Sequence, residues 1–227
     1  MANHHEEYLK QITSFYWENG INPEMEQMEK LALYTSLLVA KNDSLNLISR
    51  KDISSIIENH IFLSSFISKY IPEKCHRFID VGTGGGLPGI PVAIMKPEMK
   101  GVLVDSIGKK IAAVKGFIDK LMLNNVTAEN ARVESPEFIS KHKGKFDLII
   151  SRATVPLIVL IRYAFPLIGD KGVLLSLKGG DLSKEFEKAE ISYKSFIKKS
   201  TTFELHYKPS NIRNIKEKKL VLLEIVK

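Results

Sequence analysis

Cysteine occurs once in the 227 residues, at Cys75, and tryptophan once, at Trp17. A lone thiol closes no internal disulfide, and no cysteine-based metal site can be built from it. Long apolar runs are also missing. The most apolar stretch, residues 153–169, is cut by Pro156, Arg162 and Pro166, and it falls short of the roughly 20 apolar residues that cross a bilayer. The opening MANHHEEYLK lacks the apolar core of a signal peptide, so a soluble, cytoplasmic protein without a membrane partner or a metal is expected. Gly/Ser linkers, internal repeats and low-complexity tracts are absent as well. What remains is ordinary globular material: 44% hydrophobic and 26% charged residues, which excludes intrinsic disorder. The length suits one domain with an appended segment.

Positive charge is in excess, and unevenly so. Lys and Arg number 7 against 10 Asp and Glu over residues 1–76, 13 against 9 over 77–170, and 13 against 7 over 171–227. A basic balance concentrates polyanions near the surface, nucleic acid first among them. A lysine-rich solubilising surface explains the bare excess equally well, and the clustering toward the C-terminus tilts the reading toward nucleic acid.

The pattern along the chain changes once. Residues 1–71 read as a helical segment. Leu31, Leu33, Tyr34, Leu37, Leu38 and Ala40 recur at helical spacing after Pro23-Glu24, and Asp52 is the expected cap of a second run through Ile53, Ile56, Ile57, His60, Ile61 and Phe62. From about residue 72 to 227, short apolar runs alternate with amphipathic stretches. RFIDV (77–81), GVLVD (101–105), NVTAEN (125–130), FDLIIS (146–151) and GVLLSL (172–177) read as strands, with helices near 88–95, 107–123, 154–165 and 181–192. FELHY (203–207) and KLVLLEIV (219–226) follow with no long helix between them. Alternation of this kind predicts an α/β Rossmann-like domain, a mostly parallel sheet completed by a C-terminal antiparallel hairpin.

The most informative segment is DVGTGGGLPG, residues 80–89. Glycines at 82, 84 and 86 permit a tight turn after a strand, and Pro88 suits the first turn of a helix. Ligands of open parallel sheets bind outside the carboxyl ends of the strands, where this loop falls. Gly84-x-Gly86-x-x-Gly89 formally matches the dinucleotide fingerprint. That pattern, however, wants its first glycine directly after the strand, which here is Gly82, and its third glycine would then be Leu87. The register Asp80-x-Gly82-x-Gly84-x-Gly86 instead resembles the first motif of S-adenosylmethionine-dependent methyltransferases. Asp105, at the end of the second strand, can accept the ribose hydroxyls of either cofactor, whereas the terminal hairpin favours the methyltransferase.

The reaction centre is expected beyond the fourth and fifth strands, at Ser151-Arg152-Ala153 and Leu177-Lys178-Gly179. No Asp/Asn-Pro-Pro-aromatic motif stands there, which disfavours methylation of an exocyclic amine, and no cysteine stands there for attack on a pyrimidine carbon. A guanine N7 carries an unprotonated lone pair and needs neither a base nor a nucleophile from the protein; alignment suffices. Arg152 and Lys178 can recognise guanine or phosphate. Lys178, followed by glycines, is expected at an exposed, flexible edge.

The string RFIDVGTGGGLPGIPVAI together with DSxGK at 105–109, RVE at 132–134, FDLIISRA at 146–153 and LKG at 177–179 resembles the bacterial small-subunit ribosomal RNA methyltransferase G family, also called glucose-inhibited division protein B. The resemblance runs in order from about residue 25 to 227. It implies N7 methylation of one guanosine of 16S rRNA, with S-adenosylmethionine as cofactor and the small ribosomal subunit as partner. Matched by position, it implies a cofactor site of Gly82, Gly84, Gly86, Leu87, Asp105, Val133, Glu134 and Arg152. Arg152, Lys178, Asn46 and His60 would be the catalytic set, and Arg132, Lys178 and Lys218 (or Lys219) would face the RNA. Gly85 replaces a family Pro or Ala and is expected to loosen the loop without removing a contact. Ile48 replaces the threonine of Asn-Leu-Thr, and Leu63 replaces an aspartate three residues after His60. Oligomeric state is open, with a monomer favoured. The other readings are a small-molecule methyltransferase, a non-catalytic RNA-binding protein retaining the cofactor, and a dinucleotide oxidoreductase. Filling the loop through Gly84→Arg is expected to abolish S-adenosylmethionine binding in calorimetry; undiminished affinity would remove this loop from the cofactor site.

Overall fold

The computed structural model describes residues 2–152, 155–210 and 218–227. Two helices open the chain, α1 (Ala2–Glu18) and α2 (Met25–Leu45). Pro23-Glu24 does open α2: the Glu24 side chain and that of Gln27 form a reciprocal capping box. A chain of short turns follows, with a 3₁₀ turn at Arg50–Ser55, a π-turn at Ile57–Phe62, α3 (Leu63–Phe66) and a second 3₁₀ turn at Ile67–Tyr70. Asp52 does not cap this segment. Ser49 does, its hydroxyl accepting from the Lys51 amide at 3.3 Å, because Asp52 already lies within the first turn and points elsewhere.

The remaining elements alternate as expected: β1 (Arg77–Val81), α4 (Gly89–Met95), β2 (Lys100–Asp105), α5 (Gly108–Lys120), β3 (Val126–Asn130), α6 (Pro136–His142), β4 (Phe146–Arg152), α7 (Leu157–Leu167), β5 (Ile168–Gly179), α8 (Ser183–Tyr193), β6 (Ile197–Glu204) and β7 (Lys218–Val226). The sheet runs β3-β2-β1-β4-β5-β7-β6. Its first five strands are mutually parallel, and β7 lies antiparallel between β5 and β6. The chain therefore winds outward in both directions from β1 and β4, which leaves a crevice at their carboxyl ends.

The differences from expectation are local. Helix α6 is additional; its signal is Ser135, whose hydroxyl accepts from the Phe138 amide, followed by Pro136 in the first turn. Strand β6 begins at Ile197 and ends at Glu204 rather than spanning 203–207, since its exposed lysines carry no apolar signal. Thr154, the first residue of the helix predicted over 154–165, and Ala153 before it lie outside the described residues.

Strand alternation sends neighbouring side chains to opposite faces. Phe78, Leu148, Ile150, Val173 and Leu175 join one cluster, with Leu31, Leu38, Ile61, Phe62 and Val114 from the helices. Ile79, Val81, Ile149 and Leu174 join the other, against Phe138, Leu157, Leu160 and Ile161. The N-terminal helices thus share the apolar core of one sheet face.

They also touch the glycine loop. The buried Tyr34 hydroxyl donates to Gly85 O at 2.8 Å. A Cβ at Gly85 would stand 2.9 Å from Leu38 Cδ1 and 3.1 Å from Leu47 Cβ. Gly85 therefore does more than loosen the loop: its missing side chain makes room for α2. Gly85→Ala is expected to lower stability by roughly 1 kcal/mol, the crowding outweighing the entropy gained in the unfolded chain, as read by denaturant unfolding.

Candidate active site

The loop after β1 is held by two carboxylates. Gly82, Gly84 and Gly86 adopt φ of 72°, 57° and 99°, left-handed values that favour glycine. The amides of Gly82 and Thr83 donate to Val104 O at 2.9 and 3.0 Å, tying the loop to β2. Asp80 Oδ2 accepts from Thr83 Oγ1 at 2.6 Å and from the Gly89 amide at 2.9 Å, closing the turn from strand end to helix start. Asp105 Oδ2 accepts from the Gly84 amide at 3.0 Å, and its Oδ1 from the Ile107 amide at 2.9 Å. Asn130 Nδ2 donates to Asp105 O at 3.0 Å, fixing β2 against the end of β3.

Beside this loop lies a cleft of about 300 Å³, lined by Val81, Gly82, Val104, Asp105, Ser106, the run 131–134, Val155 and Tyr163. Its valines and Tyr163 offer apolar walls for an aromatic base, and Asp105 and Glu134 offer acceptors for hydroxyl or amino groups. A second pocket, of about 230 Å³, is lined by Asp52, Asn59, His60, Leu63, Arg152, Lys178 and Lys218, with Leu177 and Gly179 at its edge. The two are linked through Lys178, whose Nζ donates to Val155 O at 2.9 Å. A larger groove of about 850 Å³ runs between α1, residues 53–58 and 208–210, but receives no residue from the carboxyl end of a parallel strand.

Gly82, Asp105, Arg132, Val133 and Glu134 all line the first cleft. Gly84 and Gly86 shape the loop, and a Cβ at Gly84 would meet nothing within 4 Å. Leu87 is buried in the core and is not among the lining residues of the cleft. Arg152, His60, Lys178 and Lys218 converge on the second pocket, which also places Lys218 rather than Lys219 there. Asn46 lines neither pocket; it ends α2 as a left-handed C-cap (φ 45°, ψ 57°), a conformation asparagine tolerates. Lys178 is not at an exposed edge. Its side chain is 8% exposed and pairs with Glu185 Oε2 at 2.6 Å, because α8 folds back over the end of β5. Glu185 also accepts from the Leu157 amide at 2.9 Å. Sequence reasoning placed Tyr34 in the helical core pattern and Asp52 at a cap; it passed over Asn59 and Glu185, whose residue types and spacing carry no separate signal.

The donor set fits a cationic nucleoside cofactor. Asp80 Oδ1 is fully buried and, among the described residues, has no hydrogen-bond partner. Burial pushes the Asp80 carboxyl up to about 7, against the opposing pull of Thr83, Gly89 and Arg152. A positive charge in the site would stabilise the ionised form. Because the folded value lies above the ordinary 3.8, the native chain holds a proton that the unfolded chain releases earlier. The resulting stability is complete at acid pH and is lost as pH rises through about 7. Asp80→Asn is therefore expected to shrink the difference between the unfolding midpoints at pH 5.5 and pH 8; an unchanged difference would show that Asp80 does not titrate there.

Three comparisons bear on this arrangement. A family model described as rRNA small subunit methyltransferase G matches residues 27–215. A ribosomal RNA small subunit methyltransferase G from Chlorobium luteolum is 42% identical over 190 residues, 83% of this chain and 78% of the relative. One of the same name from Flavobacterium johnsoniae is 41% identical over 180 residues, 76% of this chain and 81% of the relative. Among solved structures, M. jannaschii TYW2 in complex with AdoMet is similar with a TM-score of 0.58 at 15% identity, covering 75% of this chain and 77% of that one. A SAM-dependent O-methyltransferase from Thermotoga maritima gives 0.57 at 14% identity, covering 78% and 70%. These structures share the fold, while the family model takes in most of α2, the glycine loop and every parallel strand, and the two relatives each match more than three quarters of the chain: this chain belongs to the rRNA small subunit methyltransferase G family.

Proposed function

We propose that this protein methylates N7 of one guanosine in 16S rRNA, with S-adenosylmethionine as methyl donor. The observation that carries the reading is the pairing of a nucleoside-sized cleft under the glycine loop with a second pocket that converges Arg152, Lys178 and Lys218. When bound, the cofactor supplies an electrophilic methyl group on a sulfonium, open to in-line displacement by the N7 lone pair.

The chain's own residues have three tasks. The loop from Gly82 to Gly86 brings backbone close to the bound nucleoside, and Asp105, Val133 and Glu134 border it. Asp80, beneath the loop, provides the negative charge that a cationic donor favours. Arg152 lines the second pocket while its charge acts on Asp80, so one cation faces both halves of the site. N7 carries no proton to be removed, and positioning with electrostatic support accounts for the chemistry asked of these groups. Arg132 at the rim and Lys218 in the pocket provide phosphate contacts, and phosphate contacts set register on a nucleic acid.

The small ribosomal subunit, or its 16S rRNA, is the proposed partner, and the cytoplasm the proposed location. Among the described residues no helix is long and apolar enough to cross a membrane. Labelled methyl transfer from S-adenosylmethionine to naked 16S rRNA and to small subunits tests the reading. Borohydride–aniline cleavage, which cuts at 7-methylguanosine, is expected at a single guanosine. Absence of incorporation into either substrate, with cofactor binding intact, would turn the assignment to a different acceptor.

A further inference from the structure

Arg152 is gripped by a single turn of the helical layer. Its Nη1 donates to Asn59 O at 3.3 Å, and its Nη2 lies 2.7 Å from His60 Nδ1. Both acceptors come from the π-turn Ile57–Phe62, a wide-wound geometry that recurs at functional sites. A guanidinium has only donors and keeps its proton in proteins. His60 Nδ1 must therefore present a lone pair, which makes His60 neutral and places its proton on Nε2. That nitrogen lies 3.4 Å from Asp52 Oδ2, in electrostatic contact rather than hydrogen-bond alignment. Burial and the Arg152 charge push His60 down to about 4, while Asp52 pulls it up and Lys218 pushes it down. Leu63, where the family aspartate stands, is buried and supplies no charge. The carboxylate that faces His60 is Asp52.

We propose that Asp52 and His60 are positioning residues for Arg152: Asp52 holds the proton of His60 on Nε2, and the freed Nδ1, with Asn59 O, fixes the plane of the guanidinium between the glycine loop and the second pocket. The opposite tautomer would set an N–H of His60 against an N–H of Arg152, two donors within contact distance in a buried site. The guanidinium would then swing away from Nδ1, and the remaining N–H groups that face the site would lose their aim. Neither Asp52 nor His60 needs to touch substrate for this role.

The test has two arms, of which only the kinetic one rests on the proposed methylation of 16S rRNA. In the whole protein at pH 7, ring nitrogen shifts of His60 are expected to show the neutral tautomer protonated at Nε2, and Asp52→Ala is expected to raise the Nδ1-protonated fraction. An imidazolium, an Nδ1–H tautomer in the wild type, or indifference to Asp52→Ala overturns the proposal. With small ribosomal subunits as acceptor, His60→Ala is expected to lower kcat/KM by about 10- to 100-fold, the span for losing a hydrogen bond to a charged group. His60→Asn, whose amide oxygen can stand near the Nδ1 position, should recover most of that loss. The double variant with Arg152→Ala should lose little beyond Arg152→Ala alone, since the two residues act as one unit. Equal losses for His60→Ala and His60→Asn, or losses that multiply in the double variant, would make His60 merely structural. Wild-type inactivity on subunits would refute the acceptor instead and leave the tautomer arm to decide this proposal.

Discussion

A single carboxylate oxygen, Asp80 Oδ2, receives the Thr83 hydroxyl and the Gly89 amide and so draws the end of β1 to the start of α4. Everything at the site depends on that closure. Three glycines in this turn take left-handed conformations, which glycine adopts without strain, and the loop they form lies against β2 through Val104 O and Asp105. The arrangement buries a carboxylate without a cationic partner bonded to it, at an electrostatic cost visible in its raised pKa. A positive charge placed beside Asp80 would favour its ionised form and offset part of that cost.

The helical layer is part of this machinery as well as part of the core. Tyr34 from α2 bonds the loop backbone at Gly85, and Leu38 and Leu47 occupy the space that a side chain at Gly85 would need. The π-turn brings Asn59 and His60 to Arg152, and Asp52 comes from the preceding 3₁₀ turn. One side of the layer thus supports the glycine loop, while the other shapes the second pocket. The same layer shares an apolar cluster with Phe78, Leu148 and Ile150 of the sheet. Its position is therefore set by core packing, and the polar contacts inherit that rigidity.

Charge is distributed to match. Lys178 and Glu185 make a shielded pair whose cation also holds the Val155 carbonyl beside the first cleft. Lys218, from the strand inserted between β5 and β6, reaches the same pocket from the other side. The basic excess of residues 171–227 is thus partly internal, at Lys178 and Lys218, and partly on the surface, at the exposed Lys198 and Lys199 of β6.

Much was legible in the residues alone. Short apolar runs located β1 to β5, and the glycines directly after RFIDV identified the loop, because that residue type adopts the turn's left-handed conformations without strain. Arg132, Val133 and Glu134, which the family resemblance put at the site, line the first cleft. These features rest on local sequence, where spacing and residue type determine conformation. What only the tertiary structure decided is which distant side chains meet: that β7 inserts beside β5, that Lys178 is sequestered by Glu185, that Leu87 turns into the core, that Asn46 serves a helix end, and that Asp52 faces His60 rather than capping a turn. Those outcomes depend on how helices pack across a shared core, and a contact between elements dozens of residues apart leaves no periodic trace in one sequence.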